Sequence, residues 1–82
     1  MNPMTEAIEA TLNCVGLEIS RATSMYRQYA SPHEAYAVIF EELDEFWEEV
    51  KKHSEMQSPL TMRSELIQVA ATAVRAVIDL NL

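Results

Sequence analysis

One glycine, one cysteine, three prolines and only six basic side chains are spread over 82 residues, and each shortage closes off a class of protein. A single cysteine, Cys14, allows no intrachain disulfide and no cysteine-rich zinc site, which fits a reducing compartment, and its ordinary role is that of a small buried apolar side chain. A single glycine, Gly16, leaves no glycine-rich phosphate loop and few tight turns. Six basic against thirteen acidic residues give a net charge of -7, a sign that repels the phosphate backbone of a long nucleic acid. A small polyphosphate escapes that objection when it arrives with a divalent cation, because the ion cancels the repelling charge. No apolar run reaches the length of a membrane span, and Met1 to Ala10 carries two glutamates where a secretory leader would have an apolar core. The expectation is a cytoplasmic protein with no membrane partner.

What remains is rich in apolar side chains, 49% of the chain, and poor in turn formers, which points to an all-α fold in one small domain, 1–82. Met4, Ile8, Leu12, Val15, Ile19, Ala22 and Tyr26 recur at helical spacing and predict a first helix over about 5–27. Ser31-Pro32-His33-Glu34 is a helix start, with serine at the cap, proline where no amide hydrogen is needed and glutamate placed to complete a capping box. A second helix follows over about 32–53, and Ser58-Pro59 repeats the signal for a third over about 60–80. The three helices are expected to pack as an antiparallel bundle. Helix three carries Leu66, Val69, Ala70, Ala73, Val74, Val77, Ile78 and Leu80 around more than half its circumference, an excess that predicts completion by a second subunit, as a homodimer or higher homo-oligomer.

Helix two carries most of the acid. At about 100° per residue, Tyr36, Ile39, Phe40, Leu43, Phe46, Trp47 and Val50 form one arc that the pattern assigns to the interior. Glu41, Asp44 and Glu48 point away from that arc, and Glu42, Glu45 and Glu49 line its edge. On helix three Glu65 borders the apolar arc, with Gln68, Thr72, Arg75 and Asp79 in a polar strip beside it. Edge carboxylates on two neighbouring helices can converge on a hard cation, whereas the bland alternative is a solvated acidic surface. Like charges at these spacings cost a few tenths of a kcal/mol per pair in an isolated helix, so a bound cation would give the cluster a reason. Arg75 and Lys51 are candidate phosphate contacts, with helix-dipole or solubilising roles as the ordinary alternative.

Glu41-Glu42-Leu43-Asp44-Glu45 followed by Glu65-Leu66-Ile67-Gln68 resembles the EExxE, spacer, ExxD signature of the MazG-like all-α nucleotide pyrophosphohydrolases, over roughly Ser31 to Leu80. The resemblance implies Mg²⁺, with Mn²⁺ as a substitute, held at the positions of Glu42, Glu45, Glu65 and Gln68, with Glu41 and Glu49 in possible support. It also implies hydrolysis of a nucleoside triphosphate to a monophosphate and pyrophosphate. Two departures stand out. Gln68 replaces the second-motif aspartate, keeping an oxygen ligand but not its charge. No further helix follows helix three to complete the nucleotide pocket, so the resemblance predicts that a second subunit supplies those walls. The alternative reading is a catalytically reduced or inactive helical oligomerisation module.

Overall fold

The computed structural model describes residues 2–82 and folds them into α1 (Pro3–Met25), α2 (Pro32–Val50), a single 3₁₀ turn (Ser54–Met56) and α3 (Pro59–Asp79), with no strand among the described residues. All three helices begin in the same way. A short polar side chain accepts from a backbone N–H three residues on, and proline takes the first helical position. Asn2 accepts from Thr5 N at 2.8 Å, Ser31 from Glu34 N at 3.1 Å and Ser58 from Thr61 N at 3.1 Å. The Asn2-Pro3 start places α1 two residues earlier than its apolar periodicity predicts. Glu34 does not close a capping box on Ser31. Its carboxylate accepts from Ala30 N–H at 3.0 Å and pairs with Arg27, which fixes the turn entering α2. α2 ends at Val50 rather than His53, and His53 Nδ1 instead accepts from Glu55 N–H to start the 3₁₀ turn.

Pairings along the helices give their directions. Ala35 packs near Ala76, Glu42 and Glu45 meet Glu65, and Glu49 reaches Ser58, so α2 and α3 are antiparallel. Cys14 lies against Arg63 and the Arg27 carbonyl against Arg75, so α1 runs parallel to α3. α3 is the central helix, in contact with both others, while α1 and α2 do not pack on each other. The groove left between them over α3 becomes a cleft.

Two predicted interior faces are wrong in instructive ways. On α1, Val15 and Ala22 are buried, but Met4, Ile8 and Leu12 are exposed. Cys14 is already level with Arg63 in the second turn of α3, so about seven residues, Pro3 to Glu9, about 10 Å of helix, run past the end of their partner. On α2 the residues turned inward are Ala35, Val38, Ile39, Glu42, Phe46, Glu49 and Val50, whereas Tyr36 (70% exposed), Phe40, Leu43 and Trp47 (53%) face out. The inward line is rotated by about one residue's worth of helix, roughly 100°, from the aromatic stripe. Small Ala35 against small Ala76 lets the two helices approach there, and of the glutamates read as edge positions Glu42 and Glu49 lie on the contact line while Glu45 stays exposed beside it.

Candidate metal centre

α2 presents Glu42 and Glu45 one turn apart, and α3 presents Glu65 at the same level, so one carboxylate oxygen from each lies within 4.8 Å of the others. The connection through the 3₁₀ turn sets this register. Gln57 donates from Nε2 to the Val50 carbonyl at 2.8 Å, and Ser58 N–H donates to Glu49 Oε2 at 2.8 Å, which fixes where α3 begins relative to α2.

The electrostatics of the cluster are unresolved within the chain. Burial, and next the charges of Glu45 and Glu65, push the Glu42 carboxyl up to about 7. Burial, and next its hydrogen bond with Glu45, raises Glu65 as well. Glu65 Oε2 is buried and has no hydrogen-bond partner among the described residues. Three converging carboxylates, one of them with a buried oxygen that no donor satisfies, are the donor set that a hard divalent cation takes, so these residues fit such an ion.

Beside the cluster, Glu42 and Gln68 line one end of a cleft of about 420 Å³, a size at which small-molecule sites occur. Its walls include Glu18 and Arg21 of α1, Tyr26, Arg27 and Tyr29 of the α1–α2 link, Glu34 of α2, and Thr72 and Arg75 of α3. One wall of this cleft is α1 of the same chain, because α1 lies across α3 from α2. Gln68 is half-buried and lines the cleft with Glu18, whose carboxyl is held low first by Arg21 and then, against the cost of burial, by the Gln68 side chain. From Gln68 to Arg75 the cleft follows two turns of α3, about 10 Å.

Arg75 is buried at the far end of the cleft. Its guanidinium sits 4.6 Å over the Tyr29 ring, donates to the Tyr29 hydroxyl at 3.4 Å and to the Arg27 carbonyl at 3.3 Å, and lies 3.9 Å from Asp79. Asp79 in turn accepts from Tyr29 N–H at 3.1 Å. Lys51 is not part of the site. It caps α2 and pairs with Glu48 at 2.9 Å on the surface, away from the cleft lining. Glu41 is exposed and stays outside the cluster, acting on it only through its charge on Glu42.

Glu49 requires the clearest correction. It is 4% exposed, accepts from Lys52 Nζ at 2.9 Å with one oxygen and from Ser58 N–H with the other, and its carboxyl is held low first by Lys52 and then by that N–H. Both oxygens are spoken for, so Glu49 is a tie between α2 and the start of α3 rather than a cation ligand.

Sequence reasoning missed Tyr29, Arg27 and the α1 wall. A lone aromatic in the polar link Arg27-Gln28-Tyr29-Ala30 was the available signal for Tyr29. No family model, curated protein or solved structure that was compared matches this chain.

Proposed function

We propose that the chain is a Mg²⁺-dependent, MazG-like nucleotide pyrophosphohydrolase, converting a nucleoside triphosphate to a monophosphate and pyrophosphate, with Mn²⁺ as a substitute ion. The observation that carries this reading is the convergence of Glu42, Glu45 and Glu65, with a buried unpartnered oxygen on Glu65, beside a cleft that Glu42 lines together with a buried arginine. The ion, held by Glu42, Glu45 and Glu65 with the Gln68 amide oxygen nearby, would offset phosphate charge and position water.

The chain's own groups supply the rest. Without the ion the Glu42 carboxyl is pushed up to about 7 by burial and by the charges of Glu45 and Glu65, so a divalent cation taken up there would displace its proton. Arg75 and Arg27 put guanidinium donors at the end of the cleft remote from the Glu42, Glu45 and Glu65 cluster, where each already has a carboxylate beside it, Asp79 and Glu34, so a phosphate there would be met by N–H donors rather than by net positive charge. Gln68 holds an oxygen at the shared edge and contributes no charge.

A second reading, a helical module that has lost turnover, is favoured specifically by Gln68 in place of an acid. Pyrophosphate release from ribo- and deoxyribonucleoside triphosphates with Mg²⁺ or Mn²⁺, native chain against Glu45→Gln, separates the two. Release that Glu45→Gln abolishes supports the enzyme. Absence of release from every substrate, with ion binding intact, leaves the module.

A further inference from the structure

We infer that the end of the cleft at Thr72 and Arg75 reads the base of the nucleotide, and that the order of its donors and acceptors selects a guanine-type base, one with a 6-oxo group, over adenine. This base site rests on the hydrolase reading for the placement of the phosphates at the carboxylate cluster.

The far end of the cleft carries no surplus charge. Every arginine along it already has a carboxylate beside it: Arg21 has Glu18, Arg27 has Glu34 at 2.8 Å and Arg75 has Asp79 at 3.9 Å. Hydrogen-bonding edges without net charge suit the neutral ring of a nucleotide better than its phosphates. Length agrees. The two turns of α3 from Gln68 to Arg75, about 10 Å, match the span of a purine nucleoside from its 5′ oxygen to the far edge of the base. Ala22 of α1 and Val38 of α2 line the cleft from its two sides and Ala71 of α3 lines its floor, apolar walls against which the faces of a flat ring can rest.

α3 also fixes the order of donors and acceptors. Arg75 is 6% exposed and is held by the Tyr29 ring, the Tyr29 hydroxyl and the Arg27 carbonyl. These contacts use only part of its planar fork, whose remaining N–H bonds have no hydrogen-bond partner among the described residues. Arg75 can only donate. Thr72, one turn earlier and also 6% exposed, gives its hydroxyl hydrogen to the Val69 carbonyl at 2.9 Å, so towards a ligand its oxygen can only accept. One turn of one helix thus sets a donor fork beside an acceptor.

Guanine presents the complement in the same order, with N7 and O6 as adjacent acceptors and the N1–H donor next to O6. Adenine puts its amino donors where O6 would be, against the fork, and an acceptor nitrogen against the threonine oxygen. Buried groups left facing their own kind lose their hydrogen bonds on both sides, and that loss is the source of the discrimination. A pyrimidine fails on length, because a single ring on the same sugar stops short of Arg75.

Nucleoside monophosphates test this base site without turnover. In calorimetric titrations with Mg²⁺ present, GMP should bind roughly tenfold or more tightly than AMP or CMP, and more tightly than 7-deaza-GMP, which lacks only the N7 acceptor. Thr72→Val, with helicity checked by circular dichroism, should narrow the gap between GMP and AMP. Arg75→Gln should erase the difference between GMP and 7-deaza-GMP, and if that variant fails to fold the analogue still decides on the native chain. Equal affinity for GMP and AMP or for GMP and 7-deaza-GMP, tighter binding of CMP, or no binding of any of them overturns the base site. Pyrophosphate release separates its failure from that of the hydrolase. Release at equal kcat/KM from GTP and ATP keeps the hydrolase and overturns the base site, whereas a GMP preference in a chain that releases no pyrophosphate keeps the base site and overturns the hydrolase.

Discussion

Glu49 and Glu42 sit on the same face of the same helix, two turns apart, and have opposite fates. Glu49 is fully partnered, by Lys52 and by the Ser58 N–H, and its carboxyl titrates below the usual range. Glu42 is crowded by Glu45 and Glu65 and titrates near 7, beside an oxygen of Glu65 that nothing satisfies. The difference lies in what α3 brings to each level. At the start of α3 it brings free backbone N–H groups, which every helix N-terminus has to spare. Two turns in, those N–H groups are spent inside the helix, and the only polar group facing α2 is another carboxylate. A buried acid that meets a donor holds a structure together. One that meets acids is held at a cost that folding alone does not repay.

Substitutions at the two levels should therefore move stability and cation response in opposite directions. The largest effect is expected at Glu65→Gln, which removes one ligand charge. Divalent-ion affinity should fall at least tenfold, as it does when even the outer contacts of metal ligands are removed, while the ion-free protein melts no lower than the native one because repulsion has been relieved. Calorimetric titration with Mn²⁺ and thermal melts in chelator check the two halves. A Glu65→Gln chain that melts well below the native chain without losing ion affinity would break the contrast.

Next comes Glu49→Ala, which strips the Ser58 N–H and Lys52 of their partner. Its melting temperature should drop by several degrees, clearly more than for Glu48→Ala, whose surface pair with Lys51 is worth little, and its ion affinity should be preserved. An equal drop for the two would show that Glu49 is no tie.

The pH dependence sharpens the contrast further. Between the ordinary glutamate value and about 7, folded Glu42 keeps a proton that the unfolded chain has released, so this group makes the ion-free protein less stable as pH rises toward 7. Glu49, Glu34 and Glu18 are held low and contribute stability that is present above the ordinary value and lost on acidification through their depressed values. Melting temperature in chelator should peak near the ordinary glutamate value, about pH 4.5, and decline toward pH 8, and saturating Mg²⁺ should flatten that decline. A rising limb from pH 5 to 8 without metal contradicts the crowding of the cluster.

Smallest is the change at Gln68→Asp. A fourth charge at the edge should tighten ion binding by several-fold, and in the hydrolase reading raise turnover, at some loss of the contact with Glu18. Unchanged affinity would place Gln68 outside the ion's reach.

Helix number, order and starts were legible because each start combines a capping side chain with a proline, signals that act within four residues. The three edge positions were legible too, since one turn of α2 and a border position on α3 are local facts, but their common level was not, because the connection before α3 sets it. What misled was the assumption that the most apolar arc of α2 must meet α3. Tyr36, Phe40 and Trp47 form the more apolar arc, yet Ala35 and Glu49 form the contact, because close helix approach favours small side chains and Glu49 has a buried donor waiting at Ser58. No single-helix pattern distinguishes an arc that faces a neighbouring helix from one left open. The α1 wall of the cleft was hidden for a similar reason, since the offset that leaves Met4 and Ile8 free is set by where α3 begins.

The central claim is that Glu42, Glu45 and Glu65 form a divalent-cation site, and proton-coupled binding tests it most directly. Isothermal titration of the ion-free protein with Mg²⁺ or Mn²⁺ near pH 6.5, in two buffers of different ionisation enthalpy, should show saturable binding with net release of protons from the cluster. Both binding and release should vanish in Glu42→Gln/Glu65→Gln. Saturable binding that survives that double substitution, or no binding of either ion at millimolar concentration, would contradict it.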